Sequence, residues 1–483
     1  QRMKALKAFT CVLSILIVLS GCKTPEKTGL GIADNPFYWT CNGDPIVLLG
    51  GTDDDNLFQW PDPIPHLDLL RACGGNYIRN TMSSRDTSNV QAFMRNNDGT
   101  YDLGQWNDDY WQRLETLLSA ASERDIVVEI EIWATYDFYL RSWTGNPFNP
   151  DNNINYTAKE SALPVSTDYN NFNKVQPFFK TVPNLEDNPT VRKYQEKYVD
   201  KLLSISLKYD NVLYCINNET CADSSWGIYW AKYVRAAADS LGKRVYLTDM
   251  FDNWDPSNGA VQGAVVQDRS DHPYIDTATA TNTLEHPEIY DFIDISNHNV
   301  QNGQVHYHTA RYMVDRVRES GIFRPVTCIK VYGGTRETDF DGTYAEGQRR
   351  FWRNVFAGVS SSRFHRPPYG LGLDSTAQVH IRSLRQFTDS LGVFSCVPDN
   401  SMLTGREKNE AYCLADRGIK YGLYFPHGGD ITLQVPDSIR QVQTVWLNIL
   451  KSEWSSPLVY PVEHELSLVT PDTSQWAVYI KCL

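Results

Sequence analysis

The sequence predicts an α/β protein, a (β/α)8 TIM barrel over residues 30–394 followed by a small C-terminal β-sandwich over residues 395–483, and three observations carry that expectation. Short apolar runs alternate eight times with stretches of helical periodicity, as expected of parallel strands buried on both faces. One run, NVLYCINNET at 211–220, breaks off into Asn217, Asn218 and Glu219, the way a strand does on emerging at the open end of a barrel. After residue 391 the period shortens to alternating segments divided by turn residues such as Arg417-Gly418 and His427-Gly428-Gly429-Asp430.

The first segment is not fold. Lys4 and Lys7 precede an apolar stretch at 11–19 that is too short for a permanent membrane span. It closes on Leu19-Ser20-Gly21-Cys22, which resembles the lipobox of bacterial lipoproteins. The resemblance implies a signal peptide over residues 1–22, lipidation at Cys22, a polar tether over 23–29, and a membrane-anchored protein in the periplasm or at the cell surface.

Residues 35–41 and 45–50 read as strand, turn, strand, and the second enters the barrel, ending in the acidic GGTDDDN at 50–56. A helix over 66–72 leads to strand two at 76–80, which ends in Arg79-Asn80. Trp111, Leu114, Leu117, Leu118 and Ala121 mark the next helix, and strand three covers 126–133. Val191, Tyr194, Tyr198, Leu202 and Ile205, behind Asn188-Pro189, lead into strand four; Trp226, Trp230, Val234, Ala237 and Leu241 follow it and stop at Gly242. Strands five to eight are expected at 244–249, 292–296, 325–332 and 358–363, with a last helix at 377–391. The connections 136–188 and 251–288 are longer than a barrel needs and leave C-terminal strand ends, so they should wall a cleft. Beyond them, short strands are expected at 411–415, 421–425, 431–435, 445–449 and 475–480, in a unit that supports the barrel.

A net charge of -13 and the absence of a basic stripe exclude a nucleic-acid surface and point to a neutral or hydrophilic partner. Eight cysteines remain besides Cys11 and Cys22, with no C-x-x-C pair and no clustering with histidine, so no metal or cofactor is expected. Cys215 and Cys328 fall within buried strands, where a thiol packs as a small hydrophobe.

The polar groups at the strand ends are the candidate site. Asp53, Asp54 and Asp55 end strand one, Arg79 strand two, Glu131 and Trp133 share a face of strand three, and Asn218 and Glu219 end strand four. Asp249 ends strand five, His298 follows strand six, Lys330 and Tyr332 end strand seven, and Arg363, His365 and Arg366 follow strand eight. Glu337, Asp339 and Asp341 lie just beyond strand seven. Cleavage of a glycosidic bond uses two carboxyl groups, roughly 5 to 5.5 Å apart for retention and 6.5 to 9.5 Å for inversion. Glu219 supplies one; Asp249, on the neighbouring strand, is the preferred second.

Asn218-Glu219 at the end of a fourth strand resembles the clan of retaining glycoside hydrolases with (β/α)8 barrels, in which that glutamate is the acid/base, and Arg79 matches the clan's arginine near the nucleophile. A closer resemblance covers nearly the whole chain after the leader. GGTDDDN, Lys330-Val331-Tyr332-Gly333, FHRP at 364–367 with GLGL at 370–373, and YCLAD at 412–416 look like motifs of the cellulase-like glycoside hydrolases that carry a C-terminal β-domain named for collagen binding. The resemblance implies a glycan substrate with Glu219 as acid/base, and the strand-end positions add Asp249 as the second catalytic candidate and Asp54, Asp55, Arg79, Glu131, Trp133, Asn218, His298, Lys330, Tyr332, Arg363, His365 and Arg366 as residues lining the sugar site. The chain departs from the clan where its nucleophile should stand, because that position holds Lys330. Two alternatives therefore stand beside hydrolysis: a glycan-binding protein without turnover, or a lyase that uses Lys330 as base on an acidic sugar.

Overall fold

Strand runs as apolar as VVEIEIWA and VLYCINN bury every residue, and burial on both faces is what a barrel with an outer layer of helices provides. The computed structural model describes residues 29–167, 176–250, 254–255, 260–261, 281–296, 300–338 and 341–483. The leader with Cys22, most of the connection 251–288, His298 and Asp339 lie outside the described residues. No described helix is long and apolar enough to cross a membrane.

Eight parallel strands form the barrel: β1 (Leu48–Gly51), β2 (Tyr77–Thr81), β3 (Val127–Ala134), β4 (Val212–Asn218), β5 (Leu247–Thr248), β6 (Ile293–Asp294), β7 (Val326–Thr327) and β8 (Ser361–Phe364). Continuous ladders join β5-β4-β3-β2-β1-β8 and, separately, β6-β7. The Asp291 amide donates to Leu247 O at 2.8 Å on one side, and Ser360 and Val331 donate to Val326 O and Arg363 O at 2.8 Å on the other, which closes the ring. At Gly50 a Cβ would stand 1.8 Å from the Tyr77 carbonyl oxygen, so only glycine allows β1 and β2 to approach this closely.

Helices α1 (Ile64–Ala72), α2 (Asp108–Glu123), α3 (Pro189–Ser206), α4 (Ser224–Ser240), α5 (Thr281–Glu285), α6 (Gly303–Glu319), α7 (Tyr344–Phe356) and α8 (Ser375–Leu391) follow the strands one for one. Their starts obey capping chemistry: Asn107, Asn188, Asp223, Thr343 and Asp374 each accept a backbone N–H of the first turn. Gly392, at φ 59°, ends α8.

Several strands are shorter than the sequence implies because side chains replace backbone partners. The Leu247 amide donates to Asp291 Oδ2 at 2.9 Å, Cys328 N to Ser361 Oγ at 2.9 Å, and Ile329 N to Ser296 Oγ at 2.8 Å. The run 45–50 divides for the same reason. Asn76 takes Leu49 N at 2.9 Å and Val47 O at 3.2 Å, so Asp44–Ile46 pairs backward into a hairpin and Leu48–Gly51 forward into the barrel. That three-stranded hairpin stoppers the end of the barrel away from the strand C-termini. Trp39, fully buried, meets Tyr246 and Phe292 edge-on, both at 5.3 Å, in a cluster with Leu48, Tyr77, Leu213 and Ile329.

Beyond α8, a seven-stranded antiparallel sheet includes Tyr412–Asp416, Lys420–Phe425, Gln441–Asn448 and Trp476–Cys482, and a three-stranded sheet contains Leu403–Thr404, Asp430–Gln434 and Glu465–Val469. The larger sheet alternates with period two. Tyr412, Leu414, Tyr424 and Ala477 join the barrel's own core, whereas Cys413, Leu423, Phe425 and Val478 share a second core with Ile431, Leu433, Leu466 and Leu468 of the smaller sheet. Gly422 lets the sheet lie against α8, since a Cβ there would come within 2.6 Å of Leu391 and 2.9 Å of Phe387. Buried Arg353 of α7 pairs with Glu346 and, at 2.7 Å, with Glu410 beside the sheet.

Candidate active site

The end of β4 divides its polar side chains between two faces. Asn217 turns toward the helices: its side chain donates to Asp249 Oδ1 at 2.9 Å and accepts from Trp226 Nε1 of α4 at 2.9 Å. Asn218 turns into the barrel, where its Oδ1 accepts from Arg79 at 3.0 Å and Lys330 at 2.8 Å. Glu219 follows at φ 57°, a left-handed conformation uncommon for a residue with a side chain. Held there, its carboxylate pairs with Lys330 Nζ.

Lys330 is fully buried, and Glu219 keeps 13% of its side chain exposed. The ammonium also lies 3.0 Å from Met250 Sδ. Beneath it, Ser296 Oγ accepts the Lys330 amide at 3.2 Å and donates to Asp294 at 3.0 Å, fixing the backbone from which the lysine reaches. Burial pushes the Glu219 carboxyl up, but Lys330, Arg79 and a hydrogen bond from Tyr136 outweigh it and hold it below the usual carboxylate value.

Arg79 is the second organising group. Its Nε and Nη2 grip Glu131 at 2.6 and 2.7 Å, and its Nη1 pairs with Asp55. This two-pronged grip is the geometry a guanidinium offers a carboxylate. Asp55 meets three further groups: Arg366 at 2.7 Å, His365 at 3.5 Å and Arg85 at 3.6 Å. Burial raises the Asp55 carboxyl, yet its basic neighbours, the Arg79 guanidinium foremost, bring it well below its ordinary value. His365 is held well below the imidazole range by burial and by the arginines and Lys330 around it. The Tyr332 ring lies 4.9 Å from His365 and beside Glu219.

Other expected residues stand elsewhere. Asp249 does not face Glu219: it accepts from Asn217 and lies against α4, where a Cβ on Gly227 would come within 2.2 Å of its Oδ2. Its place on the strand neighbouring β4 is what favours Asp249 in the sequence, but β5 ends at Thr248 and Asp249 lies just beyond it. Its burial, opposed only by hydrogen bonds, pushes its carboxyl up to about 7. Trp133 does not share the Glu131 face. It packs against Tyr198 of α3 and Trp226 and Trp230 of α4, at 5.1 to 5.8 Å, and is core. Asp54 is bound into its own loop, accepting from Trp60 Nε1 at 3.0 Å and Asp55 N at 2.8 Å. Arg363, fully buried, donates to Ile329 O at 2.9 Å and to Thr52, bracing strand ends below the mouth. Glu129, deeper still, accepts from the Tyr77 hydroxyl; burial, and then Asp294, drive its carboxyl well above the ordinary value.

Three mouth residues carry no sequence signal. Tyr136 and Asp137 lie in the loop after β3, and Arg85 in the loop after β2, where it pairs with Asp137 at 3.4 Å and covers the Tyr136 ring at 5.7 Å. Among the described residues, no group of three or more His, Cys, Asp or Glu side chains is placed to hold a metal ion.

The arrangement thus sets the partly exposed carboxylate of Glu219 against an ammonium, with Asp55 and Glu131 locked on Arg79. No family model matches the chain, and no curated protein matches it in sequence. Its structure is similar to a glycoside hydrolase family 5 protein from Bacteroides vulgatus ATCC 8482, with a TM-score of 0.61 and 13% identity over 94% of this chain and 93% of that one. It is also similar to a second protein described as a glycoside hydrolase, with a TM-score of 0.56 and 12% identity over 94% of this chain and 97% of that one. The chain therefore has the α/β-barrel fold of glycoside hydrolases.

Proposed function

We propose that the protein binds a carbohydrate at the open end of its barrel and, with Lys330 opposite Glu219, recognises the glycan without cleaving it. The ion pair between Lys330 and Glu219 carries this reading. A general acid has to hold a proton until it donates, and the adjacent ammonium favours the ionised carboxylate. Hydrolysis also asks for a second carboxyl group flanking the bond. Asp55 and Glu131 are clamped by Arg79, and Asp249 lies toward α4. The neighbours named as glycoside hydrolases support a sugar as the ligand. The lipobox-like ending at Cys22 supports a membrane-anchored location, and the shared core supports the role of 395–483 as a β-sandwich that props the barrel.

Hydrolysis with Glu219 as acid/base is the second reading. It is favoured by one observation: Glu219 stands at the end of β4 with part of its side chain exposed at the mouth. A lyase reading fits less well, since Lys330 is committed to Glu219, Asn218 and Met250, whereas a base needs a free lone pair.

Calorimetric titration against a panel of oligosaccharides, with chromatography of the same mixtures, separates these. Binding with intact ligand at every pH is the expected result. Cleaved product that falls roughly 10² to 10⁴-fold in Glu219→Gln would overturn it and establish the hydrolase instead. An unsaturated sugar product would establish the lyase.

A further inference from the structure

From the Glu219 neighbourhood, aromatic contacts lead outward to a pair of arginines. Tyr332 meets His365 at 4.9 Å, and His365 meets Tyr369 at 5.8 Å. Two guanidinium groups then share the Tyr369 ring: that of Arg336 at 4.4 Å from the centroid and that of Arg366 at 5.6 Å. Arg336 donates through its Nε to Asp341, and the Arg366 Nε lies 2.7 Å from Asp55 as an ion pair. The terminal nitrogens of both make no hydrogen bond among the described residues. Both side chains reach water, at 41% and 24% exposure.

Two like charges on one ring repel each other, and the available counter-charge is thin. Asp55 also serves Arg79, His365 and Arg85, and Asp341 is fully buried beneath Arg336. In a chain of net charge -13, a solvent-facing arginine pair beside the candidate sugar site runs against the general sign of the molecule. Planar guanidinium groups with open terminal N–H donors match the two oxygens of a carboxylate or a sulfate.

We propose that Arg336 and Arg366, set on Tyr369, form an anionic subsite, so that the glycan bound at the mouth carries an acidic group, a uronate carboxylate or a sulfate ester, beyond the sugar that meets Glu219. The inference rests on the carbohydrate reading of the mouth and adds the chemical class of the ligand. Tyr369 supplies a flat surface for the sugar that bears the charge, and its two arginines supply the clamp.

The test is calorimetric titration of the full chain with tetragalacturonate beside its carboxyl-reduced form, and with a κ-carrageenan tetrasaccharide, whose only charges are sulfate esters, beside its desulfated form. The expected result is binding of one acidic form about tenfold or more tighter than its neutral counterpart. Arg336→Gln should erase that margin and leave the neutral form's affinity unchanged, with a lower melting temperature from the loss of Asp341's ion-pair partner, while Arg336→Lys keeps part of the margin. The pair that shows the margin identifies carboxylate or sulfate. Equal affinity for acidic and neutral forms, or equal weakening of both by Arg336→Gln, overturns the subsite and leaves the carbohydrate reading standing. Failure to bind any member of either pair overturns the two together.

Discussion

Replacing Lys330 by methionine keeps the length of the side chain and removes its charge, leaving Glu219 buried without its partner. Breaking a buried ion pair from one side costs about 3–5 kcal/mol, and the 13% exposure of Glu219 puts this pair toward the low end, about 3 kcal/mol near pH 7. The pH dependence distinguishes this from lost packing. In the wild type, the Glu219 carboxyl is held below its usual 4.5, so its contribution to stability is present above that pH and is lost as pH falls through the folded value. Without Lys330 the folded value rises, because burial, already the largest influence, is no longer opposed by the ammonium; the variant's deficit therefore grows as pH rises. Urea midpoints of wild type, Lys330→Met, Glu219→Gln and the double variant at pH 5 and pH 7.5 read the effect. Lys330→Met should lose clearly more at pH 7.5 than at pH 5, and Glu219→Gln should rescue much of the deficit. Equal losses at both pH values, or additive effects in the double variant, would show that the two charges are not coupled and remove the basis for reading the mouth as an ion pair.

Three other outcomes are expected. Asp249, raised from 3.8 to about 7, favours folding below pH 3.8 and loses that advantage as pH climbs through 7; Asp249→Asn should therefore melt progressively higher relative to wild type between pH 4 and pH 8, with ligand affinity unchanged, and a constant difference would count against its burial as the cause. Arg353→Met strands Glu346 and Glu410 between α7 and the C-terminal sheet and should destabilise by about 3–5 kcal/mol, with barrel and sheet still melting in one transition; two separated transitions would show that the sheet folds independently. Cys22→Ala should move the protein from the membrane to the soluble fraction of a bacterial host, and unchanged detergent partitioning would refute the anchor.

The barrel was legible because its strands are apolar on both faces and its helices carry capped, periodic stripes; Val212–Asn218 between α3 and α4 needs little else. The opposition of Glu219 and Lys330 was legible as well, since both end strands of known order. Side-chain direction at those ends was not. Period two predicts that Asn217 and Cys215 share a face, yet Asn217 turns out to Trp226 while Asn218 turns in. The same change of face sends Trp133 into the helix layer while Glu131 keeps to Arg79. Nor does a list of carboxylates reveal that one arginine will claim both Asp55 and Glu131, because that depends on the spacing of β1, β2 and β3 across the barrel. Tyr136 and Arg85 come from loops, where no period exists to place them.

The hairpin under the barrel has an electrical consequence. With Trp39 packed against Tyr246 and Phe292, an apolar cluster fills the lower end of the barrel beneath its buried charges. Arg363 and Lys330 sit above an apolar floor, so their fields are weakly screened inside and are felt at the end of the barrel where Glu219 stands. A ligand arriving there meets the summed potential of the whole shaft, and a charge altered deep in the barrel is felt at its mouth.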